Sequence, residues 1–216
     1  MSVVTSAPPR LSPIVLGGRH VRLEPLTRGH AGALAAAASG ARETYGLTTV
    51  PDGEADALGY IETALRDQGA GRSLPFVTVA SATGRAVGST RFLNIEFWTW
   101  PRGHPLQRGE DVPDVAEIGA TWLAAEAQRT AINTEAKLLM LTHAFETWRV
   151  HRVSLMTDAR NERSRRAILR LGARFDGVLR AQRPAVDGTI RDTAAFSILG
   201  EEWPTVKRQL QSRLDQ

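Results

Sequence analysis

The chain of 216 residues contains no cysteine, which excludes disulfides, thiolate catalysis and cysteine-based zinc sites together. The same absence fits a reducing compartment. Lysine is nearly absent, with only Lys137 and Lys207, and tyrosine is limited to Tyr45 and Tyr60. No run of roughly 18 apolar residues occurs, so no membrane span is expected. Residues 1–13 lack the apolar core of roughly 7–15 residues that a secretory signal needs. A cytoplasmic location is therefore the expectation. His20, His30, His104, His143 and His151 have no metal-ligand spacing, and no metal is expected. Neither GxxxxGK[ST] nor GxGxxG is present, so a phosphorylated ligand would not be held as in kinases or dehydrogenases.

What is present is enough apolar material for one core, 42% of residues, and a net charge of +4 that is unevenly spread. Between Arg149 and Arg191 lie eleven arginines and only four acids, Asp158, Glu162, Asp176 and Asp187, a local charge of +7. The guanidinium fork matches phosphate oxygens, so this stretch suits a phosphorylated cofactor, RNA or a ribosomal surface. It suits a merely solvated charged face equally well.

Residues 1–16, with three prolines, read as a flexible lead-in, and 17–216 as a single domain. Alternation over His20–Leu26 predicts a strand, and the Ala-rich Arg28–Ser39 a helix. Leu58, Ile61 and Leu65 place a second helix over Gly53–Asp67. Leu74–Ala80 and Arg85–Phe97 read as a hairpin, followed by a long loop to Pro113. Val115–Leu123 is a strand, 124–132 a connector, and Asn133–Arg149 a helix with Leu138, Leu141, Phe145 and Trp148 on one face. Arg152–Thr157 is the next strand. These two strands should be parallel, joined by a right-handed crossover. A helix over Asn161–Leu171 ends at Gly172. Strands over Arg174–Gln182 and Ile190–Leu199 and a helix over Glu201–Leu214 complete the chain.

In an open α/β sheet, ligands gather at the carboxyl ends of parallel strands, where helix N-termini present free N–H groups. Two such helix starts, at Asn133 and Asn161, follow the two adjacent strands and form a natural phosphate site. The residues there carry a resemblance. Gln128-Arg-Thr-Ala-Ile-Asn-Thr-Glu-Ala-Lys137 resembles the pyrophosphate loop of the GNAT superfamily of N-acetyltransferases, and Asn161–Ala173 resembles its following helix. From Gly17 to Leu214 the chain is similar to the RimJ/RimL-type branch, through Gly-Arg-His-Val-Arg-Leu-Glu-Pro-Leu at 18–26, Ala-Glu-Ile-Gly at 116–119, Asn-Glu-Arg-Ser at 161–164, Gly-Val-Leu-Arg at 177–180 and Ile-Arg-Asp-Thr at 190–193.

That resemblance implies one α/β domain: a mixed, mostly antiparallel sheet of about seven strands with one splayed parallel pair and helices on both faces. It implies acetyl-CoA as co-substrate and a primary amine as acceptor, first a protein or peptide N-terminus, including that of a ribosomal protein. The cofactor-binding residues it implies are Trp122, Leu123, Gln128, Arg129, Thr130, Ala131, Ile132, Asn133, Thr134, Asn161 and Ser164. Ala131 and Asn133 stand where the superfamily has glycine, a departure that bears on cofactor affinity because glycine allows positive φ and close approach to phosphate. Asparagine tolerates the left-handed region, so the loop could still form.

Ser164 shares a helix face with Ile168 and Leu171, so its hydroxyl should point inward, as a donor to the departing thiolate; with Asn161 it also fits a plain helix cap. Glu117, in an apolar strand, is the candidate base or else a salt-bridge partner for an arginine. Backbone N–H near Trp122 or Leu123 is the expected oxyanion donor. The aromatic run Phe92, Phe97, Trp98 and Trp100, and residues 46–52, are either packing or walls of the acceptor site. The rival readings are a small-molecule amine acceptor, including an antibiotic, and a non-catalytic acyl-CoA sensor or RNA-associated module, nucleic acid being the less expected partner. The tail and last helix could support a homodimer, although nothing in the sequence requires one.

Overall fold

The computed structural model describes residues 11–109 and 111–215. Its eight-stranded sheet runs β1 (Leu16–Gly17), β2 (Val21–Pro25), β3 (Leu74–Ala80), β4 (Ala86–Glu96), β5 (Val115–Leu123), β6 (Arg152–Asp158), β8 (Ile190–Leu199), β7 (Arg174–Pro184) in spatial order. Only β5 and β6 are parallel; every other neighbouring pair is antiparallel. The eighth strand, relative to the expected seven, is the two-residue β1. Of the expected lead-in, residues 1–10 lie outside the described residues, while Leu11, Ile14 and Leu16 pack against the main core.

The helices α1 (Ala31–Ala38) and α2 (Gly53–Gly69) cover one face of the sheet, burying Leu34, Ile61 and Ala64 against Val77, Val79 and Trp122. The helices α3 (Ala131–Thr142), α4 (Glu162–Arg170) and α5 (Trp203–Leu214) cover the other, on Phe76, Phe92, Ile118, Val153 and Leu155. Alternation over the first residues of β5 sends Ala116 and Ile118 towards α3 and Glu117 to the opposite face.

Two helix boundaries differ from the sequence reading. The helix expected from Asn133 begins at Ala131, because Thr130 is its N-cap: Thr130 Oγ1 accepts from Ile132 N at 3.3 Å. It passes into a π-helical stretch, His143–Trp148, before Arg149 ends it with φ of 58°. Leu141, Phe145 and Trp148 are buried as expected, but Leu138 is only half-buried, while Glu135 and Lys137 are buried on different sides of the helix.

Those two buried charges have different settings. The Glu135 carboxylate accepts from the backbone N–H groups of Arg19 (2.9 Å), His20 (2.6 Å) and Val21 (2.8 Å), tying α3 to the β1–β2 turn. Gly18 is required there: a Cβ on it would lie 2.4 Å from the Glu135 carboxyl carbon. Among the described residues Lys137 has no carboxylate partner; its Nζ donates to Thr121 Oγ1 (2.6 Å) and Thr90 Oγ1 (3.0 Å).

Candidate active site

The parallel pair opens into a fork. β5 and β6 pair only at Val115–Arg152, Ala116–Val153 and Glu117–Ser154, yet both strands run on, to Leu123 and to Asp158. Beyond the last rung β5 pairs only with β4, and there it carries a bulge. Ser89 faces Trp122 and Arg91 faces Gly119, so β5 has one extra residue, and Ala120 takes φ of 46° to accommodate it. The β4 and β5 backbones approach closely at Gly88, where a Cβ would lie 2.1 Å from Trp122 O. The Trp122 side chain turns away from the fork, edge-on to Tyr45 at 6.2 Å, so only its backbone can serve there.

α3 and α4 begin where the two arms of the fork end, and the amides of their first turns have no carbonyl partner earlier in their own helix. Between the arms, Gln128 and Arg163 form a clasp. Gln128 Nε2 donates to Leu123 O (3.0 Å) and Thr44 Oγ1 (3.1 Å), and Gln128 Oε1 accepts from the Arg163 guanidinium (3.2 Å). Arg163 also donates to Thr44 O at 2.5 Å. Arg129 is exposed, in the left-handed region with φ of 60°. Thus the positive φ of this loop falls on Arg129; Ala131, Asn133 and Thr134 are helical, and no glycine is needed at 131 or 133 for backbone reasons. Thr130, Ala131 and Ile132 line a cleft of about 320 Å3 with Arg19 and His20. First-turn amides and exposed guanidinium groups are donors of the kind that meet phosphate, whereas the Thr130 hydroxyl already donates to Ala127 O at 2.8 Å.

At the start of α4, Asn161 is the N-cap, its Oδ1 accepting from Ser164 N at 3.0 Å. The cap uses the backbone of Ser164, and its hydroxyl forms no intramolecular hydrogen bond among the described residues. Ser164 is half-buried above Ile168 and Leu171.

Glu117 occupies the last rung of the parallel pair and is 5% exposed. It lines a cleft of about 290 Å3 with Asn94, Ser154 and Met156, rimmed by Glu96 and Arg152. Burial raises its pKa above the ordinary carboxylate value; the hydrogen bond from Asn94 and the charges of Arg183 and Arg191 pull it partly back. Glu117 and Ser164 sit on different elements, at the base and the tip of the fork, and do not touch.

The aromatic run divides. Phe92 is core, against Phe76 and Trp148. Trp98 and Trp100 enclose the buried Asp114, which accepts from Trp98 N and Trp100 Nε1, both at 2.7 Å. Trp98 Nε1 also reaches Glu96, at the rim of the Glu117 cleft (3.3 Å). Among the described residues no group of three or more His, Cys, Asp or Glu could hold a metal, and no helix is long and apolar enough to cross a membrane.

Sequence reasoning did not single out Asn94, Arg163 or Lys137. A signal for Asn94 was its place in a strand-forming run, where asparagine is disfavoured unless the chain bends.

Comparison with known proteins agrees with this fold. Residues 20–174 match the acetyltransferase (GNAT) domain. YdaF of Bacillus subtilis (strain 168), which carries the name ribosomal N-acetyltransferase, is 35% identical over 98 residues, 45% of this chain and 52% of that protein. The chain thus matches about half the length of this curated relative. Among solved structures, a GCN5-related N-acetyltransferase from Brucella melitensis superposes with a TM-score of 0.78 at 29% identity, over 97% of this chain and 90% of that one. An acetyltransferase from T. thermophilus gives 0.74 at 33% identity, over 94% and 98%. RimJ of Mycobacterium smegmatis, in complex with CoA-disulfide, gives 0.71 at 23% identity over 94% and 93%, a likeness of fold. The chain therefore belongs to the GNAT acetyltransferase family.

Proposed function

We propose that this protein transfers an acetyl group from acetyl-CoA to a primary amine held at the β5–β6 fork, with a protein or peptide N-terminus as acceptor. The observation that carries this is the fork itself: pairing stops at Glu117–Ser154, and two helix N-termini stand at the ends of the opened arms. An α-amino group has a pKa near 8 against about 10.4 for lysine, so it reaches the nucleophilic form more readily near neutral pH. The relative named for ribosomal N-acetyltransfer favours the same acceptor class.

Acetyl-CoA supplies an acyl thioester. The first-turn amides of α3, with Arg129 and Thr130, hold its diphosphate; Leu123 and Asn161 flank its pantetheine arm between the strands. Gln128 keeps the connector against the end of β5. Glu117, directly or through water, takes the proton that the amine loses as its nitrogen bonds to the acyl carbon. Backbone N–H at Trp122 or Leu123 stabilises the acyl oxygen as it gains charge. As the C–S bond breaks, the Ser164 hydroxyl donates to the departing sulfur, a role for which its lack of an internal partner leaves it available. Such chemistry on a protein terminus fits the cytoplasm.

The test is a product analysis with acetyl-CoA and a peptide panel. Peptides with a free N-terminus should be acetylated on the α-amine, while N-blocked peptides bearing lysine should be poor substrates. Turnover confined to small free amines would contradict the choice of acceptor, and acyl-CoA binding with no turnover on any amine would contradict the enzymatic reading.

A further inference from the structure

The bulge that parts β5 from β6 is gripped from both faces of the sheet. On the α3 side, Lys137 Nζ donates to Thr121 Oγ1 (2.6 Å) and Thr90 Oγ1 (3.0 Å), and the two hydroxyls lie 2.8 Å apart. On the α2 side, Tyr60 OH lies 3.3 Å from Ala120 O and 3.2 Å from Ser89 Oγ, with the Arg91 guanidinium 4.6 Å from the centre of its ring. The residues held, Ala120 and Thr121, are the two that oppose Thr90 in the bulge, and they directly precede Trp122 and Leu123.

A lysine is an expensive choice here. Lys137 is 4% exposed, and its hydrogen-bond partners among the described residues are both hydroxyls. Burying an ammonium without a counter-charge costs several kcal/mol, and an apolar side chain of similar length would fill the space without that cost. Burial alone pushes its amine down to about 7. Fold stability therefore does not account for a lysine at this position. What it adds over an apolar residue is two directed donors into a strand whose hydrogen-bond ladder is interrupted.

We propose that Lys137 is a positioning residue for acetyl transfer, fixing Thr121 and hence the β5 bulge so that the amide of Trp122 or Leu123 that points away from β4 faces the acyl oxygen. Tyr60 braces the same bulge from the opposite side. This rests on the placement of the thioester at the β5–β6 fork given above. No step of the reaction passes through Lys137 itself.

Amide hydrogen exchange of residues 118–123, measured free, with CoA and with acetyl-CoA, tests it. In the parent protein acetyl-CoA should slow exchange at one of Trp122 and Leu123 more than CoA does, because only the acyl oxygen engages that amide. Lys137→Met and Thr121→Val should each speed exchange in 119–123 by about tenfold and erase most of the difference between acetyl-CoA and CoA, a change of about 1.4 kcal/mol in local opening. Exchange in β2 and α1 should stay at parent rates. Thr121→Ser, which keeps the hydroxyl, should restore the parent pattern. Where Lys137→Met fails to fold, Thr121→Val and Thr121→Ser carry the comparison. Parent-like exchange and a parent-like acetyl-CoA effect in Lys137→Met and Thr121→Val would overturn the positioning role. Absence of acetyl-CoA protection at 119–123 in the parent would overturn the placement of the thioester and the role of Lys137 with it.

Discussion

The Glu117 carboxylate accepts a 2.7 Å hydrogen bond from Nδ2 of Asn94, and the bond exists because β4 bulges where Asn94 takes φ of 47°. The bulge re-aims the amide across the strand pair onto a carboxylate at the base of the fork.

This pairing gives a kinetic prediction. Glu117 must be ionised to accept a proton, and burial raises its pKa. With a peptide acceptor, kcat/KM should fall as pH drops through a value above the ordinary carboxylate range. Glu117→Gln should lower kcat about a hundredfold and remove that limb, leaving the limb set by the amine. Retention of the limb in the variant would assign it to another group.

A stability prediction comes from the same group. A carboxyl whose folded pKa is raised contributes stability below its unfolded pKa, and this is lost as pH rises through the folded value. Glu117→Gln should therefore melt higher than the parent at pH 8, with the difference shrinking towards pH 4. Thermal melts across that range check the sign.

Lys137 runs the other way. Its folded pKa of about 7 lies below the unfolded 10.5, so the folded state binds fewer protons between those values. The penalty for burying the ammonium is complete below about pH 7 and is released as pH climbs towards 10. Urea midpoints of the parent should rise relative to those of Lys137→Met over that interval; parallel curves would show that the amine titrates normally.

Glu135 and Gly18 should behave as one unit. Removing the carboxylate orphans three backbone N–H groups, and Glu135→Ala should cost about 3 kcal/mol or more. Gly18→Ala must displace the same carboxylate, since its Cβ would lie 2.4 Å from it. The double variant should be little worse than the worse single one, in denaturant unfolding, because both changes break the same bonds.

The pyrophosphate loop offers a direct contrast. Ala131 is helical, so Ala131→Gly should leave acetyl-CoA affinity within about twofold while costing up to about 1 kcal/mol of stability. Arg129 sits at φ of 60°, where glycine is at ease, so Arg129→Gly should leave stability unchanged or raise it by up to about 1 kcal/mol. The same change should weaken acetyl-CoA about tenfold through the lost guanidinium. Calorimetry and unfolding on the two variants separate these effects.

The strands at 74–80 and 115–123 were legible because dense apolar runs bounded by turn residues have few alternative readings. The parallel crossover followed from the strand–helix–strand order. The start of α3 was misplaced by two residues, since weight given to Asn133 hid the cap at Thr130. The inward turn of Glu135 and Lys137 was invisible, because periodicity places charged residues on the solvent side; each is buried through partners more than ten residues away in sequence. Asn94 meets Glu117 only through a bulge, and a bulge depends on pairing register, which the local sequence does not carry. Trp98 and Trp100 are likewise held by Asp114 through contacts that have no periodic signature.

Calorimetric titration with acetyl-CoA beside free CoA tests the central claim most directly. One molecule of acetyl-CoA bound per chain with micromolar affinity, weakened by Arg129→Gly, is the result expected of a fork whose arms end in two helix N-termini. No measurable heat at millimolar acetyl-CoA would contradict it, and would leave the arginine-rich stretch from 149 to 191 as a surface for a macromolecular partner.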